Sequence, residues 1–248
     1  MDISFQLYSS RNVASQIDFL AELARLGYNQ VEGYGGVYDD PKAFRAVMDE
    51  AGLTMPSGHF SVDMLETDVE SALMIARALG ITRIYAPFLA AEARPSDGPG
   101  YAAFARRLTA IDARLSAEGL SFGWHNHDFE LEPLSDGSIP LGVILDEAPD
   151  IGWEGDLAWV IQGGADPMAW LQRYGSRLTA VHVKDIAPDG EKVDEDGWAD
   201  VGEGTVDWPT LTQKVREIAP NALMVMEHDN PSDATRFATT SIQSFKTY

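Results

Sequence analysis

Short apolar runs rich in β-branched and aromatic residues recur along the chain, and longer segments with helical spacing of apolar positions separate them. The short runs predict eight strands, which are Ser4–Tyr8, Gln30–Gly35, Met55–Phe60, Arg83–Phe88, Ser121–His127, Ile151–Leu157, Leu178–Lys184 and Ala222–Glu227.

The longer segments predict helices, because their apolar residues recur every three or four positions. The first, Val13–Leu26, places Ile17, Leu20 and Leu23 on one face and stops before Gly27, a residue suited to a helix end. The other predicted helices are Pro41–Ala51, Leu65–Leu79, Gly100–Glu118, Leu141–Ala148, Pro167–Tyr174, Trp208–Ile218 and Ser232–Phe245.

Strands and helices alternate along the whole chain, without a linker or a shift in composition. Such alternation predicts a parallel sheet covered by helices. Eight units in 248 residues match the count and size of a single-domain α/β fold, the (β/α)8 TIM barrel, over residues 1–248. An open, doubly wound sheet is the alternative. The glycine fingerprint typical of its first turn is missing, and YSSRN stands after the first strand instead.

Composition narrows the classes of partner. The chain carries 18 Lys and Arg residues against 39 Asp and Glu residues, a formal net charge of −21. A surface this acidic repels phosphate backbones and anionic lipids, so we expect neither nucleic acid nor a membrane as partner. The absence of cysteine excludes a disulfide framework, a thiolate metal site and a thiol nucleophile. We recognise no signal peptide and no bilayer-spanning run, and we expect a cytoplasmic protein.

Histidines and carboxylates gather at the ends of the predicted strands. The histidines there are His59, His125, His127, His182 and His228. The carboxylates are Glu32, Glu154, Asp156, Asp185 and Glu227. Functional residues of a TIM barrel lie at the carboxyl ends of its strands. A carboxylate within an apolar run is costly to bury unless it is paired or binds a metal.

Strand alternation selects four of these side chains, because neighbours along a strand point to opposite faces. In TAVHVKD, His182 and Lys184 share one face, opposite Val181 and Val183. If the valines pack against helices, four side chains of strands five to eight converge in the barrel mouth, namely His125, Asp156, His182 and Glu227. Two imidazoles and two carboxylates suit a divalent cation such as Mn²⁺, Mg²⁺, Co²⁺, Fe²⁺ or Zn²⁺.

Five segments of the C-terminal half resemble the xylose-isomerase-like TIM-barrel superfamily, and most closely its sugar phosphate isomerase/epimerase-type branch with an HNHDFE-like motif. They are WHNHDFELE (Trp124–Glu132), GDLAWVIQGGADP (Gly155–Pro167), VHVKD (Val181–Asp185), VGEGTVDW (Val201–Trp208) and MEHDNP (Met226–Pro231). The N-terminal half matches more loosely, through GYNQVEGY and SGHF. The resemblance implies a metal-dependent sugar isomerase or epimerase with one divalent ion, commonly manganese, bound by strands five to eight.

The resemblance assigns Asp156, His182 and Glu227 to three ligand positions. The fourth is usually a glutamate on strand five, and here His125 occupies it. Epimerases of this superfamily use two glutamates, on strands five and eight, to exchange a proton on opposite faces of the carbon beside a ketone. This chain keeps only Glu227, so either an imidazole replaces one base or the reaction needs only one strong base, as β-elimination and hydration do.

Other residues are candidates for contact with a small-molecule sugar or polyol. His127 shares a strand face with His125, and Lys184 could hold a substrate oxygen or stabilise an enolate. Further candidates for substrate contact are Glu32, His59 and Trp159, the last as a stacking platform on strand six. Each has a structural alternative, either hydrogen bonding or packing in the barrel core. Lys184 is the one obvious basic residue near the mouth, which favours an unphosphorylated substrate. The acidic run over residues 185–200 predicts a solvated loop, and its position also suits a lid.

The preferred function is that of an isomerase or epimerase on a keto-sugar or related polyol. Glu227, or His125 if it is not a ligand, would remove the proton beside the carbonyl, and an enediolate would form next to the metal ion. A keto-sugar hydratase, dehydratase or β-eliminating lyase on the same site is the first alternative. Hydrolysis of abasic DNA, which the net charge disfavours, and a non-catalytic sugar-binding barrel are the others. The sequence is compatible with a homo-oligomer.

Overall fold

Eight parallel strands close into a barrel in the computed structural model, which describes residues 2–248. Each strand pairs with its neighbours in chain order, and β8 pairs with β1 to close the sheet. The strands are β1 (Ser4–Gln6), β2 (Gln30–Gly33), β3 (Thr54–His59), β4 (Arg83–Ala86), β5 (Ser121–His125), β6 (Gly152–Asp156), β7 (Leu178–Val183) and β8 (Leu223–Met226). They lie at the eight predicted positions, and the predicted (β/α)8 TIM barrel is confirmed.

Helices connect successive strands around the outside of the barrel. In the described residues they are α1 (Gln16–Leu26), α2 (Pro41–Ala51), α3 (Val62–Thr67), α4 (Val69–Leu79), α5 (Gly98–Ser116), α6 (Pro140–Glu147), α7 (Leu157–Gln162), α8 (Pro167–Tyr174), α9 (Trp208–Ile218) and α10 (Ala234–Phe245). Among residues 2–248, no helix combines the length and hydropathy that crossing a bilayer requires.

Helix α1 shows how local chemistry sets the helix bounds. At its start, the Ser15 hydroxyl accepts a hydrogen bond from the Asp18 N–H at 3.3 Å. At its end, Gly27 adopts a φ of 101°, and its N–H donates to the carbonyls of Leu23 and Ala24. A side chain is disfavoured in this left-handed conformation, so the glycine marks the end that the sequence predicts.

Two predictions about helices were wrong. The segment Leu65–Leu79 forms two helices rather than one, because Asp68 leaves the helical conformation and its side chain caps α4 through the Ser71 N–H. Trp159 does not lie on strand six, because β6 ends at Asp156 and the chain enters α7 at the next residue. The carboxylate of Asp156 caps this unpredicted helix.

The predicted alternation along β7 is confirmed. Val181 and Val183 are fully buried in the hydrophobic core, which also contains Leu171 of α8. His182, between them in sequence, therefore faces the interior of the barrel. The register sets Asp156 of β6 beside His182 of β7, so the two side chains lie at the same level near the carboxyl ends of their strands.

The acidic run after β7 is only partly the solvated loop that the sequence predicts. Residues 188–191, 193, 194 and 196 are exposed, as expected. The ends of the run form two short antiparallel strands, Asp185–Ile186 and Trp198–Ala199. Glu195 and Asp200 are buried, because Arg236 of α10, which lies far along the chain, binds both carboxylates, at 2.7 and 2.8 Å.

Candidate functional site

A cavity of about 840 Å³ opens at the carboxyl ends of the strands. Its floor is polar and includes His125, His182, Lys184, Glu227 and Asp229, whereas its upper wall is mainly aromatic and aliphatic. A deep cavity with a few converging polar groups at this end of a TIM barrel is the usual form of an active site in this fold.

Asp156 is fixed by two sets of hydrogen bonds. Its Oδ1 accepts from the Trp159 N–H at 2.9 Å and so caps α7. The Asn126 side chain holds its backbone, because Oδ1 of the amide accepts from the Asp156 N–H and Nδ2 donates to the Asp156 carbonyl, both at 3.1 Å. Oδ2 of Asp156 is buried, and the atom of opposite charge beside it is the Lys184 Nζ at 3.3 Å.

Asp156, His182 and Glu227 form what we call the candidate metal cluster. One ligand atom from each lies within 4.8 Å of the others, and all three side chains are buried. His182 Nδ1 is buried without a hydrogen bond, and the buried oxygens Asp156 Oδ2 and Glu227 Oε2 face the Lys184 ammonium, at 3.3 and 2.7 Å. Buried polar atoms are rarely left without a partner, as His182 Nδ1 is, and two carboxylates with an imidazole are a typical donor set for a divalent cation. The cluster could therefore bind a metal ion.

His125 is placed beside this cluster rather than within it. Its ligand nitrogen groups with His59, Glu154 and His182, again within 4.8 Å. The ring centroids of His125 and His182 are 4.5 Å apart. Burial and the nearby His182 hold the pKa of His125 well below its ordinary value, so its ring is neutral and can act as a ligand. Its role as the fourth ligand stays a prediction.

Glu32, His59 and Glu154 form what we call the inner cluster, which lies next to the metal cluster. Glu32 Oε1 lies 2.7 Å from His182 Nε2, and Glu154 Oε2 lies 2.6 Å from His59 Nε2. Metal-binding histidines commonly place their second ring nitrogen against a carboxylate, which fixes the tautomer and the ring orientation. Glu32 can do this for His182, because the other ring nitrogen, Nδ1, is the one without a partner.

Opposite charges decide the protonation of the inner cluster. Burial lowers the pKa of His59, but Glu154 and Glu32 outweigh burial and raise it to about 10. Burial likewise opposes the charged form of His182, yet Glu154 and Glu32 raise its pKa to about 9. Burial and the proximity of Glu32 raise the pKa of Glu154 to about 7. Both histidines are therefore held in the charged form at neutral pH, and a cation at the metal cluster must displace a proton from His182.

Lys184 is a buried ammonium surrounded by carboxylates. Its Nζ lies 2.6 Å from Asp229 Oδ2, 2.7 Å from Glu227 Oε2 and 3.3 Å from Asp156 Oδ2. Burial opposes its charge, but these carboxylates raise its pKa above the ordinary value. The rings of Trp198 and Trp159 lie 4.4 and 4.7 Å from the ammonium. Lys184 therefore stays charged and shares two carboxylate oxygens with the metal cluster.

Glu227 is suited to proton transfer. Burial, followed by the proximity of Asp229, raises its pKa to about 7. A carboxyl group with a pKa near the working pH can both accept and return a proton.

The remaining predicted contact residues divide into two pairs. His59 and His127 line the cavity, and burial lowers the pKa of His127 to about 3, so its ring is neutral. Glu32 and Trp159 do not line it. Glu32 is fully buried in the inner cluster, and the Trp159 ring packs against Lys184. Because neither Glu32 nor Trp159 lines the cavity, the structure does not support a contact of either residue with the substrate.

Sequence reasoning left Glu154 and Asp229 out of the predicted site. The available signal was strand alternation, because each lies two residues from a predicted ligand and shares its strand face. Their partners, His59 and Lys184, lie on other strands, and no local pattern in the sequence joins them.

Comparisons with known proteins agree with the fold. Residues 20–248 match the family model of the xylose isomerase-like TIM barrel. The rhizopine catabolism protein MocC of Rhizobium meliloti is 24% identical over 247 aligned positions, which cover 87% of this chain and 75% of MocC. A sugar phosphate isomerase/epimerase from Parabacteroides distasonis is 19% identical, with a TM-score of 0.80 over 98% of this chain and 92% of that one. The IOLI protein, whose crystal structure holds a zinc atom, is 15% identical, with a TM-score of 0.79 over 100% of this chain and 96% of that one. This chain belongs to the xylose isomerase-like TIM barrel family.

Proposed function

We propose that this protein is a divalent-metal-dependent enzyme that isomerises or epimerises a keto-sugar or related polyol through an enediolate. The observation that carries the proposal is the candidate metal cluster, in which Asp156, His182 and Glu227 are buried, each places one ligand atom within 4.8 Å of the others, and His182 Nδ1 has no hydrogen-bond partner. Zinc in the IOLI protein and the isomerase/epimerase description of the Parabacteroides protein support it. Manganese is the ion that we expect.

A divalent cation held by this cluster would act as a Lewis acid on a substrate carbonyl and stabilise the negative charge that develops on its oxygen. Glu227 lies on the cavity floor and would remove the proton beside the carbonyl. The positive charge of Lys184, which lines the cavity floor, would help to stabilise a substrate oxygen that becomes negative. His125 and His127 line the same floor and offer neutral rings to substrate hydroxyls.

A dehydratase, hydratase or β-eliminating lyase is a second candidate, because His125 stands where a second glutamate would serve two-base exchange. Asp229, another carboxylate on the floor, is ion-paired to Lys184 at 2.6 Å. Glu154 is fully buried and held by His59. With Glu227 as the single base, proton removal followed by loss of a neighbouring hydroxyl or other substituent needs no second glutamate.

Nuclear magnetic resonance of a keto-sugar panel in deuterated water, with Mn²⁺-loaded protein, tests the proposal and separates the two candidates. An isomerase or epimerase puts deuterium beside the carbonyl and yields an isomer of the same composition. A lyase or dehydratase yields an unsaturated or shortened product. Asp156→Asn should abolish either reaction, because the amide still caps α7 but is a poor metal ligand. Asp166→Asn, the same change at the exposed cap of α8, is the matched control.

No exchange and no product with any sugar, from protein that demonstrably binds metal, would contradict the enzymatic proposal and favour a sugar-binding barrel. Equal activity of wild type and Asp156→Asn would contradict the assignment of the site.

A further inference from the structure

The upper wall of the cavity differs in character from its charged floor. Aromatic rings reach it from Tyr8, Tyr34, Tyr38, Phe60 and Phe88. At about 840 Å³ the cavity is near the upper end of the range of pockets that enclose drug-sized ligands. Of the metal cluster, His182 and Glu227 line the floor together with Lys184, and Asp156 does not line the cavity. A monosaccharide bound at the floor would leave the aromatic wall uncovered.

Two of these rings are unusually exposed. Tyr8 is 40% and Phe88 49% exposed, although both are large apolar side chains. The other exposed large apolar residues among those described are Ile17, Met74 and Val193, and these lie away from the cavity. Aromatic surface left in water at the rim of a pocket gains free energy when an apolar group covers it.

The exposed rings are continuous with the floor. Phe88 follows β4 and meets the His127 ring edge to face, with centroids 5.5 Å apart. His127 in turn lies 5.0 Å from His125. On another side of the mouth, Tyr8 follows β1 and meets Tyr34 edge to face at 5.4 Å. A single molecule can therefore contact the floor and the aromatic wall together.

The cationic side chains that line the cavity are paired with carboxylates. Arg107 forms two hydrogen bonds of 2.7 Å with Glu66, and Lys184 is surrounded by carboxylates. The charged rings of His59 and His182 lie against Glu154 and Glu32. A phosphate group at the cavity floor would therefore compete with these carboxylates, and the other guanidinium groups near the aromatic wall, Arg11 and Arg94, stack on Tyr8 and Phe88 at 4.1 and 5.4 Å.

Aliphatic side chains complete the apolar part of the lining. They are Val62, Met64, Leu89 and Ala90, and the polar side chains of Ser61, Asp63 and Glu66 also line the cavity.

We propose that two aromatic patches at the cavity mouth, Tyr8 with Tyr34 and Phe88 beside His127, together form an aromatic subsite that binds an aromatic or similarly apolar substituent attached to the sugar. The substrate class is then an aryl glycoside, or a keto-sugar with a comparable apolar group, rather than a sugar phosphate or a free monosaccharide. This inference rests on the proposed function, because that function is what places the sugar ring on the floor.

Calorimetric titration of the Mn²⁺-loaded protein with matched ligand pairs tests the subsite. The probes are phenyl and methyl glycosides of glucose, galactose and xylose, with glucose 6-phosphate as the anionic comparison. We expect the phenyl member of a pair to bind roughly 3- to 10-fold more tightly, which is the range for one aromatic contact beyond its buried area. Phe88→Ala and Tyr8→Ala should remove most of this preference.

Met74→Ala is the matched control, because Met74 is 58% exposed and lies away from the cavity. It should keep the phenyl preference. Equal affinity for phenyl and methyl glycosides, tighter binding of the sugar phosphate, a preference that survives in both aromatic variants, or failure of every glycoside to bind would overturn the subsite. If the same preparation still binds metal stoichiometrically, then only the aromatic subsite has been disproved and the proposed metal site has not.

Discussion

The substitution Lys184→Met tests whether the Lys184 ammonium and a bound divalent cation compete for the same carboxylates at the cavity floor. Methionine keeps the length of the side chain and its contact with Trp159 and Trp198, and it removes the ammonium. In metal-free protein, Asp156, Glu227 and Asp229 then lose the cation that lies within 3.3 Å of each of them.

The magnitude follows from burial. Lys184 is fully buried, and breaking a buried ion pair by removing one partner costs about 3–5 kcal/mol. A divalent cation at the metal cluster returns positive charge to Asp156 and Glu227. Metal at 100 times its Kd adds about 2.7 kcal/mol to the free energy of unfolding. The variant should gain more than wild type at equal metal concentration, because Lys184 no longer competes for the same oxygens.

Urea unfolding followed by tryptophan fluorescence measures this difference, once in a chelator and once in excess Mn²⁺. We expect Lys184→Met to lose about 3–5 kcal/mol in the chelator and clearly less with metal present. The control is Lys192→Met, whose ammonium lies 3.4 Å from Glu195 and is 37% exposed, and it should show the same small change in both conditions. A Lys184→Met deficit that is equal with and without metal would refute the argument that ammonium and cation share these carboxylates.

Three further predictions concern metal affinity and acid stability. Glu32→Gln should weaken metal binding by about 10- to 100-fold, because Glu32 fixes the orientation of the His182 ring, whereas the control Glu66→Gln should leave the affinity unchanged. Equal metal affinities of wild type and Glu32→Gln, measured by calorimetry, would contradict this prediction. Apparent metal affinity should fall as the pH is lowered through about 7, because the raised pKa of Glu227 lets protons compete with the cation; identical titrations at pH 6 and pH 8 would exclude it. Glu195→Gln should lower the free energy of unfolding at pH 7 by about 1–3 kcal/mol. Burial opposes ionisation of Glu195, but Ser232 and Arg236 lower its pKa from 4.5 to about 2. The stabilisation by Glu195 is therefore lost as the pH falls through about 2. A loss of unfolding free energy in Glu195→Gln that is the same at pH 2 and pH 7 would argue against this prediction.

Much of the fold could be predicted because its signals are local. Apolar runs located all eight strands, and Gly27 marked the end of its helix. The alternation of apolar and polar residues at Val181, His182 and Val183 predicted which side chains of β7 face the barrel interior. Once the strand order was known, the convergence of Asp156, His182 and Glu227 followed from period two and parallel register.

The rest depends on partners that are remote in sequence. Glu32 meets His182 across 150 positions, and Glu195 meets Arg236 across 41, and no periodicity reports either pair. Trp159 was misplaced because an apolar run after β6 suits a strand as well as a helix, and the carboxylate of Asp156 decides between them by capping α7.

Metal titration of the purified, chelator-treated protein tests the central claim most directly. We predict one divalent ion per chain, by calorimetry and by elemental analysis, for wild type and for Asp166→Asn. Asp156→Asn should lose more than about 100-fold in affinity, since even a residue that only orients a ligand is worth 10- to 100-fold. No stoichiometric ion in wild type, or equal affinity in the two variants, would contradict a metal centre built from Asp156, His182 and Glu227.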